Sequence, residues 1–197
     1  MKKILVSILV VFTSSICTMG QDWSQWRGVE RQGIWHDDGI IDQFPDDGLE
    51  VKWRVPIGSG YAGPAVANGR VFVLDWTEDS SSRTLDGTER LLVLDEETGG
   101  ELWTAEWQTS YRALMGSYAI GPRATPTVDG DSVFVVGATG RLSSFDVTDG
   151  SRNWSVDYVE DYDMSVPPWG CLLYTSPSPR DRGLSGMPAW GWKKNGG

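Results

Sequence analysis

Cysteine is nearly absent from this chain of 197 residues: Cys17 and Cys171 are the only two, one toward each end. Nothing between them can form a disulfide or a thiolate zinc site. Histidine is rarer still. The single one, His36, cannot build a histidine-based metal site alone. Beside Asp37-Asp38 it resembles a general-base pair in composition only, and a solvated loop accounts for it. Positive charge is also scarce. From Gln21 to Gly170 there are 11 Lys+Arg against 26 Asp+Glu, a difference of −15. Such a surface repels nucleic acid and anionic lipid, so neither is expected as a partner. No phosphate loop is present, since Gly58-Ser-Gly60 lacks the following Lys and helix, and no Ser/His/Asp triad is visible. Between the two ends no stretch reads as a helix.

The longest apolar run is also short. Ile4 to Phe12, about nine residues after Met1-Lys2-Lys3, would rise only about 14 Å as a helix, too little to span a bilayer. It reads as a secretory signal over residues 1–20, with cleavage after Gly20, and places the protein in the periplasm or outside the cell. A lipid anchor on Cys17 is not expected, because Ile16 stands where a small residue belongs. At the other end, Cys171-Leu-Leu-Tyr-Thr-Ser-Pro-Ser-Pro-Arg-Asp181 breaks every pattern before it. Its back-translation resembles a transposon-end sequencing adapter. Residues 171–197 are therefore expected to be a non-native tail.

What the chain does have is a repeat. Val93-Leu-Asp95-Glu-Glu-Thr98-Gly99-Gly-Glu-Leu-Trp103 recurs as Ser144-Phe-Asp146-Val-Thr-Asp149-Gly150-Ser-Arg-Asn-Trp154. Upstream, Pro64 to Val73 recurs as Pro126 to Val135. Each unit reads as four strands with tight turns. The first turns are Asn68-Gly69 and Asp129-Gly130. The strands after them are Val71–Leu74 and Val133–Val136; the third strands are Leu91–Leu94 and Leu142–Phe145. The fourth begin at Glu101 and Asn153. Glu50-Val51-Lys52-Trp53-Arg54-Val55 alternates as a half-buried strand. Trp76 to Arg90 reads as a polar loop inserted into the first unit only. Small antiparallel sheets repeated along a chain make a β-propeller. The fold class is thus all-β, with four-stranded antiparallel blades, about two to three of them, in an incomplete ring. The expected organisation is a lead-in segment over 21–48 and blades over 49–170.

The repeated phrase has a physical job. Asp95 and Asp146 accept from turn amides, Gly99 and Gly150 supply a left-handed backbone, and Trp103 and Trp154 pack between blades. This arrangement resembles the tryptophan-docking repeat of pyrroloquinoline-quinone (PQQ)-like, quinoprotein dehydrogenase-like propellers. Trp53, after Gly48-Leu-Glu-Val-Lys, resembles a third, degenerate copy. Asp22-Trp23-Ser-Gln25-Trp26-Arg27-Gly28 and Gly121-Pro122-Arg123-Ala-Thr-Pro126 are similar to a secreted bacterial branch of that family. Val166-Pro-Pro-Trp169-Gly170 resembles the start of a further blade.

The resemblance implies one of two roles. Quinoprotein dehydrogenases hold PQQ and calcium in the central channel, use an Asp base, and often carry a disulfide of adjacent cysteines. Other members are non-enzymatic, such as the lipoprotein that helps insert outer-membrane β-barrels. No Cys pair, calcium cluster or catalytic constellation is visible here. The expectation is a non-catalytic binding or assembly scaffold, with PQQ and calcium only if missing blades make the whole protein an alcohol or sugar dehydrogenase. No catalytic, cofactor-binding or metal residue is assigned. Arg123 and Trp169 are the candidates for contact with a channel ligand, and Tyr111-Arg112 and Tyr118 lie in the same interblade stretches. The expected partners are a protein or small molecule and the remaining blades.

Overall fold

The computed structural model describes residues 21–36, 41–79, 85–114 and 120–166. The leader, the tail, Tyr118 and Trp169 lie outside the described residues. Two four-stranded antiparallel sheets follow one another. The first holds β1 (Ala65–Ala67), β2 (Arg70–Glu78), β3 (Asp86–Asp95) and β4 (Glu101–Ser110), and the second holds β5 (Thr127–Asp129), β6 (Ser132–Val136), β7 (Arg141–Asp146) and β8 (Arg152–Asp157). Strand order is sequential in both. These are two blades of a propeller, the incomplete ring read from the repeat.

Period-two burial organises the first blade. Leu91 and Val93 of β3 face the second blade and join Phe72, Leu74, Trp103 and Trp107 in one core with Val133, Val135 and Phe145. Leu92 and Leu94 face the other way, against Trp53 and Val55. Each fully buried aliphatic or aromatic side chain contributes about 1.5–3 kcal/mol, so this shared core is what joins the blades.

The sequence reading is corrected at four places. The insertion is mostly strand: β2 runs to Glu78 and β3 starts at Asp86, with Trp76 opposite Glu89 and Thr77 opposite Thr88. The polar residues there alternate with buried ones, which a search for apolar runs passes over. Residues 49–58 form no ladder among the described residues; Trp53 and Val55 pack against Val71, Leu92 and Leu94, while Leu49, Val51 and Ile57 are exposed. The first turn of the second blade is Gly130-Asp131, one residue later than read, because Asp129 pairs with Ser132. Finally, a short helix α1 (Tyr158–Tyr162) follows β8, where Asp157 caps the amides of Val159 and Glu160.

Both blades carry a bulge at the same step, between Val93 and Leu94 and between Ser144 and Phe145. The extra residues opposite are Leu102 and Asn153. Each sits one position before the repeated Trp. A bulge twists its strand and re-aims the next side chain, here the indole.

Candidate functional site

The chemistry of this chain is concentrated at the seam between the blades. The seam begins with a turn. Asp95 Oδ1 accepts from the amides of Glu97 at 3.1 Å and Thr98 at 2.8 Å, and from Thr98 Oγ1 at 2.8 Å. These bonds hold its carboxyl below the usual carboxylate range, the Thr98 hydroxyl first among them. Asp146 accepts from the Thr148 amide at 2.7 Å in the same way. The Thr/Asp alternation three residues on also has a cause. Thr98 Oγ1 accepts from the Gly100 amide and Asp149 Oδ1 from the Ser151 amide, so either oxygen closes the turn.

The next residue is glycine for two reasons. Gly99 and Gly150 have φ of 69° and 74°. A Cβ on Gly99 would stand 2.7 Å from the Trp53 ring, and one on Gly150 would stand 2.4 Å from the Trp103 ring. Each indole lies flat on a bare glycine and donates to a carbonyl of the same turn: Trp53 Nε1 to Glu96 O at 2.8 Å, and Trp103 Nε1 to Val147 O at 2.9 Å. Glu96 and Val147 are equivalent positions. Trp103 also meets Phe72 edge-on at 6.4 Å. Trp154 makes the matching contact with Phe134, at 6.0 Å, but is 43% exposed.

A second centre was not read from sequence. Glu89 is fully buried. It accepts from Tyr111 Oη at 2.5 Å, Trp107 Nε1 at 2.7 Å and the Ala138 amide of the second blade at 2.8 Å. Burial pushes its carboxyl above the ordinary value; the three donors and the Arg141 charge pull the other way. Burial and the Glu89 charge together raise the Tyr111 phenol. Gly137 lies so close that a Cβ there would meet Glu89 Oε2 at 2.2 Å. Tyr111 therefore belongs to this buried node and not to an open loop surface; its ring stacks on Trp76 at 4.9 Å. The available signal was the strand register, since Gly87, Glu89, Leu91 and Val93 share one inward face.

Among the described residues the other buried acid is Asp75. Arg90 Nε and Nη2 donate to its two oxygens at 2.9 and 2.6 Å, and the Gly58 amide donates to Oδ2 at 2.5 Å. This ties the incoming segment to the first blade. Arg90 keeps a quarter of its side chain in water. Arg90→Met should therefore cost about 2 kcal/mol, less than the 3–5 of a fully buried pair. Urea unfolding of both proteins measures it, and a loss below 0.5 kcal/mol would mean that Asp75 is served by Gly58 alone.

The remaining candidates are dispersed. Arg123 stands over the Tyr61 ring at 5.5 Å. Arg112 pairs with Asp86 at 2.5 Å. His36 is exposed, and its amide donates to Gln21 Oε1. Among the described residues no three His, Cys, Asp or Glu come together as a metal site. No described helix is long and apolar enough to cross a membrane.

Comparison with known proteins places this seam in a family. Among solved structures, a europium-containing methanol dehydrogenase is similar at 21% identity and a TM-score of 0.38, over 56% of this chain and 19% of its own. BamB from Moraxella catarrhalis is similar at 20% identity and a TM-score of 0.29, over 53% of this chain and 36% of its own. The chain thus spans about a fifth and about a third of those two proteins. No curated protein matches it. Residues 37–168, about two thirds of the chain, match the family model described as outer membrane protein assembly factor BamB. The chain belongs to that family of PQQ-like β-propeller repeats.

Proposed function

We propose that this chain is part of an exported, non-catalytic propeller that serves as a binding or assembly scaffold outside the cytoplasm. The observation that carries this reading is the family match over residues 37–168, whose description is an outer membrane assembly factor. The seam supports it. Among the described residues both buried carboxylates are engaged structurally: Asp75 by Arg90 and the Gly58 amide, which tie the incoming segment to the first blade, and Glu89 by the Ala138 amide of the second blade. The reading includes export through residues 1–20 and a protein partner of β-barrel type.

The full gene product tests it in two arms. Immobilised protein is expected to retain an unfolded outer-membrane β-barrel chain and to release it on folding. Titration with PQQ and calcium is expected to leave tryptophan fluorescence without saturable quenching. Saturable, calcium-dependent quenching at micromolar PQQ would replace the scaffold with a quinone-dependent alcohol or sugar dehydrogenase.

A further inference from the structure

The motif Asp22-Trp23-Ser24 does something that the blade repeat does not require. β1 and β5, the first strands of the two blades, approach one another, and each is paired on one side only within its sheet. They are therefore the strands nearest the propeller axis. Ala67 pairs with Arg70 and Asp129 with Ser132 across two-residue turns, so the middle residue of each edge strand turns its amide and carbonyl away from the neighbouring strand. Here these are Val66 in β1 and Val128 in β5. Such groups would normally face a channel, open to water, ligand or another strand.

Residues 22–24 engage both groups of Val66 and the amide of Val128 instead. Trp23 N donates to Val66 O at 2.7 Å, and Val66 N donates to Trp23 O at 3.0 Å. One residue on, Val128 N donates to Ser24 O at 2.8 Å. Successive carbonyls of an extended chain point to opposite sides, so adjacent residues serve adjacent blades. Asp22 Oδ2 accepts from the Asn68 amide in the first hairpin turn at 3.2 Å. The strap is held from behind as well. The Trp23 ring stacks on Trp35 at 5.7 Å and rests against Gly28, whose φ is 69° and where a Cβ would come within 2.6 Å. Arg31 Nε donates to Gln25 Oε1, and Gly33 N to Arg27 O. The chain thus folds back on the strap directly after leaving the axis.

We infer that residues 22–24 form an axial strap, a strand segment shared by two blades that caps the inner edge at Val66 and the amide at Val128. It couples the blades at the axis as Trp103 couples them at the seam. It also removes the Val66 and Val128 amides from any ligand that enters along the axis. This inference stands apart from the scaffold reading, since it concerns the inner edges whatever binds there.

Hydrogen exchange on the full chain tests it. The Val66 and Val128 amides are expected to exchange at least about 100-fold more slowly than open-loop amides. Trp23→Pro removes the N–H and the ring. It is expected to speed exchange at both amides about 10-fold or more, while Val73 and Leu92 inside the ladder stay protected. Gly28→Ala displaces the Trp23 ring without touching the bonded backbone, and should produce the same paired loss if Trp23→Pro unfolds the chain. Unprotected Val66 and Val128 amides in the parent would overturn the strap. Loss at Val66 alone in the variant that stays folded would overturn its sharing between blades.

Discussion

Trp103→Ala should lower the unfolding free energy by about 3–5 kcal/mol, the range for deleting a large buried aromatic. The indole is nine-tenths buried, lies on Gly150 and donates to Val147 O across the seam. Its removal opens a cavity between two sheets that neither can fill alone. Against a total of about 5–15 kcal/mol for a domain, that loss separates the blades. Trp103→Phe keeps most of the packing and leaves Val147 O without its donor, so about 1 kcal/mol should remain beyond the smaller ring. Trp154→Ala is the internal control. That residue has the same motif and the same aromatic neighbour, but is 43% exposed, and its removal should cost less than about 1 kcal/mol. Urea unfolding followed by fluorescence separates the three. Equal costs at Trp103 and Trp154 would show that the seam does not set their difference.

Glu89→Leu should cost about 3–5 kcal/mol, because Tyr111, Trp107 and the Ala138 amide would each lose an acceptor inside the protein. The same residue gives a pH dependence whose sign is fixed. Burial is the largest influence on its carboxyl and raises the folded value above the ordinary 4.5. The unfolded chain then releases the Glu89 proton more readily than the folded one. Its contribution to stability is fully present below about pH 4.5 and is lost as pH rises through the folded value. Relative to Glu89→Gln, which does not titrate, the parent should gain stability as pH falls from 7 to 4.5. Unfolding free energies of the pair at the two pH values decide it. A parent that loses ground on acidification would mean that the three donors outweigh burial and hold the carboxylate charged.

The blades were legible because they are written twice. Asp95 and Asp146, Gly99 and Gly150, and Trp103 and Trp154 recur at matched spacing, and the turns they build need those side chains. The Glu89 node was not legible by that route, because it occurs once. Fifty-one residues on, the separation of Trp103 and Trp154, Gly140 stands where Glu89 does; Tyr158 and Tyr162, in α1, stand where Trp107 and Tyr111 do. Comparing repeats finds what they share and passes over what one blade invents. Reading strand register through the insertion would have exposed an acid on an inward face. The strap was hidden for another reason. Its bonds are backbone bonds from an irregular segment, and no side-chain pattern announces them.

The glycine seat of each indole has a consequence in time. Trp53 rests on Gly99 and Trp103 on Gly150, so both rings wait for a turn that lies later in the chain, 47 residues on for Trp103. At a synthesis rate of about 5–20 residues per second, that delay is about 2–10 s. During it the Trp103 ring has the Phe72 edge of its own blade against it and lacks the glycine seat that covers its other side. Assembly is thereby directional across this seam: the first blade is finished by the second, which follows it in the chain.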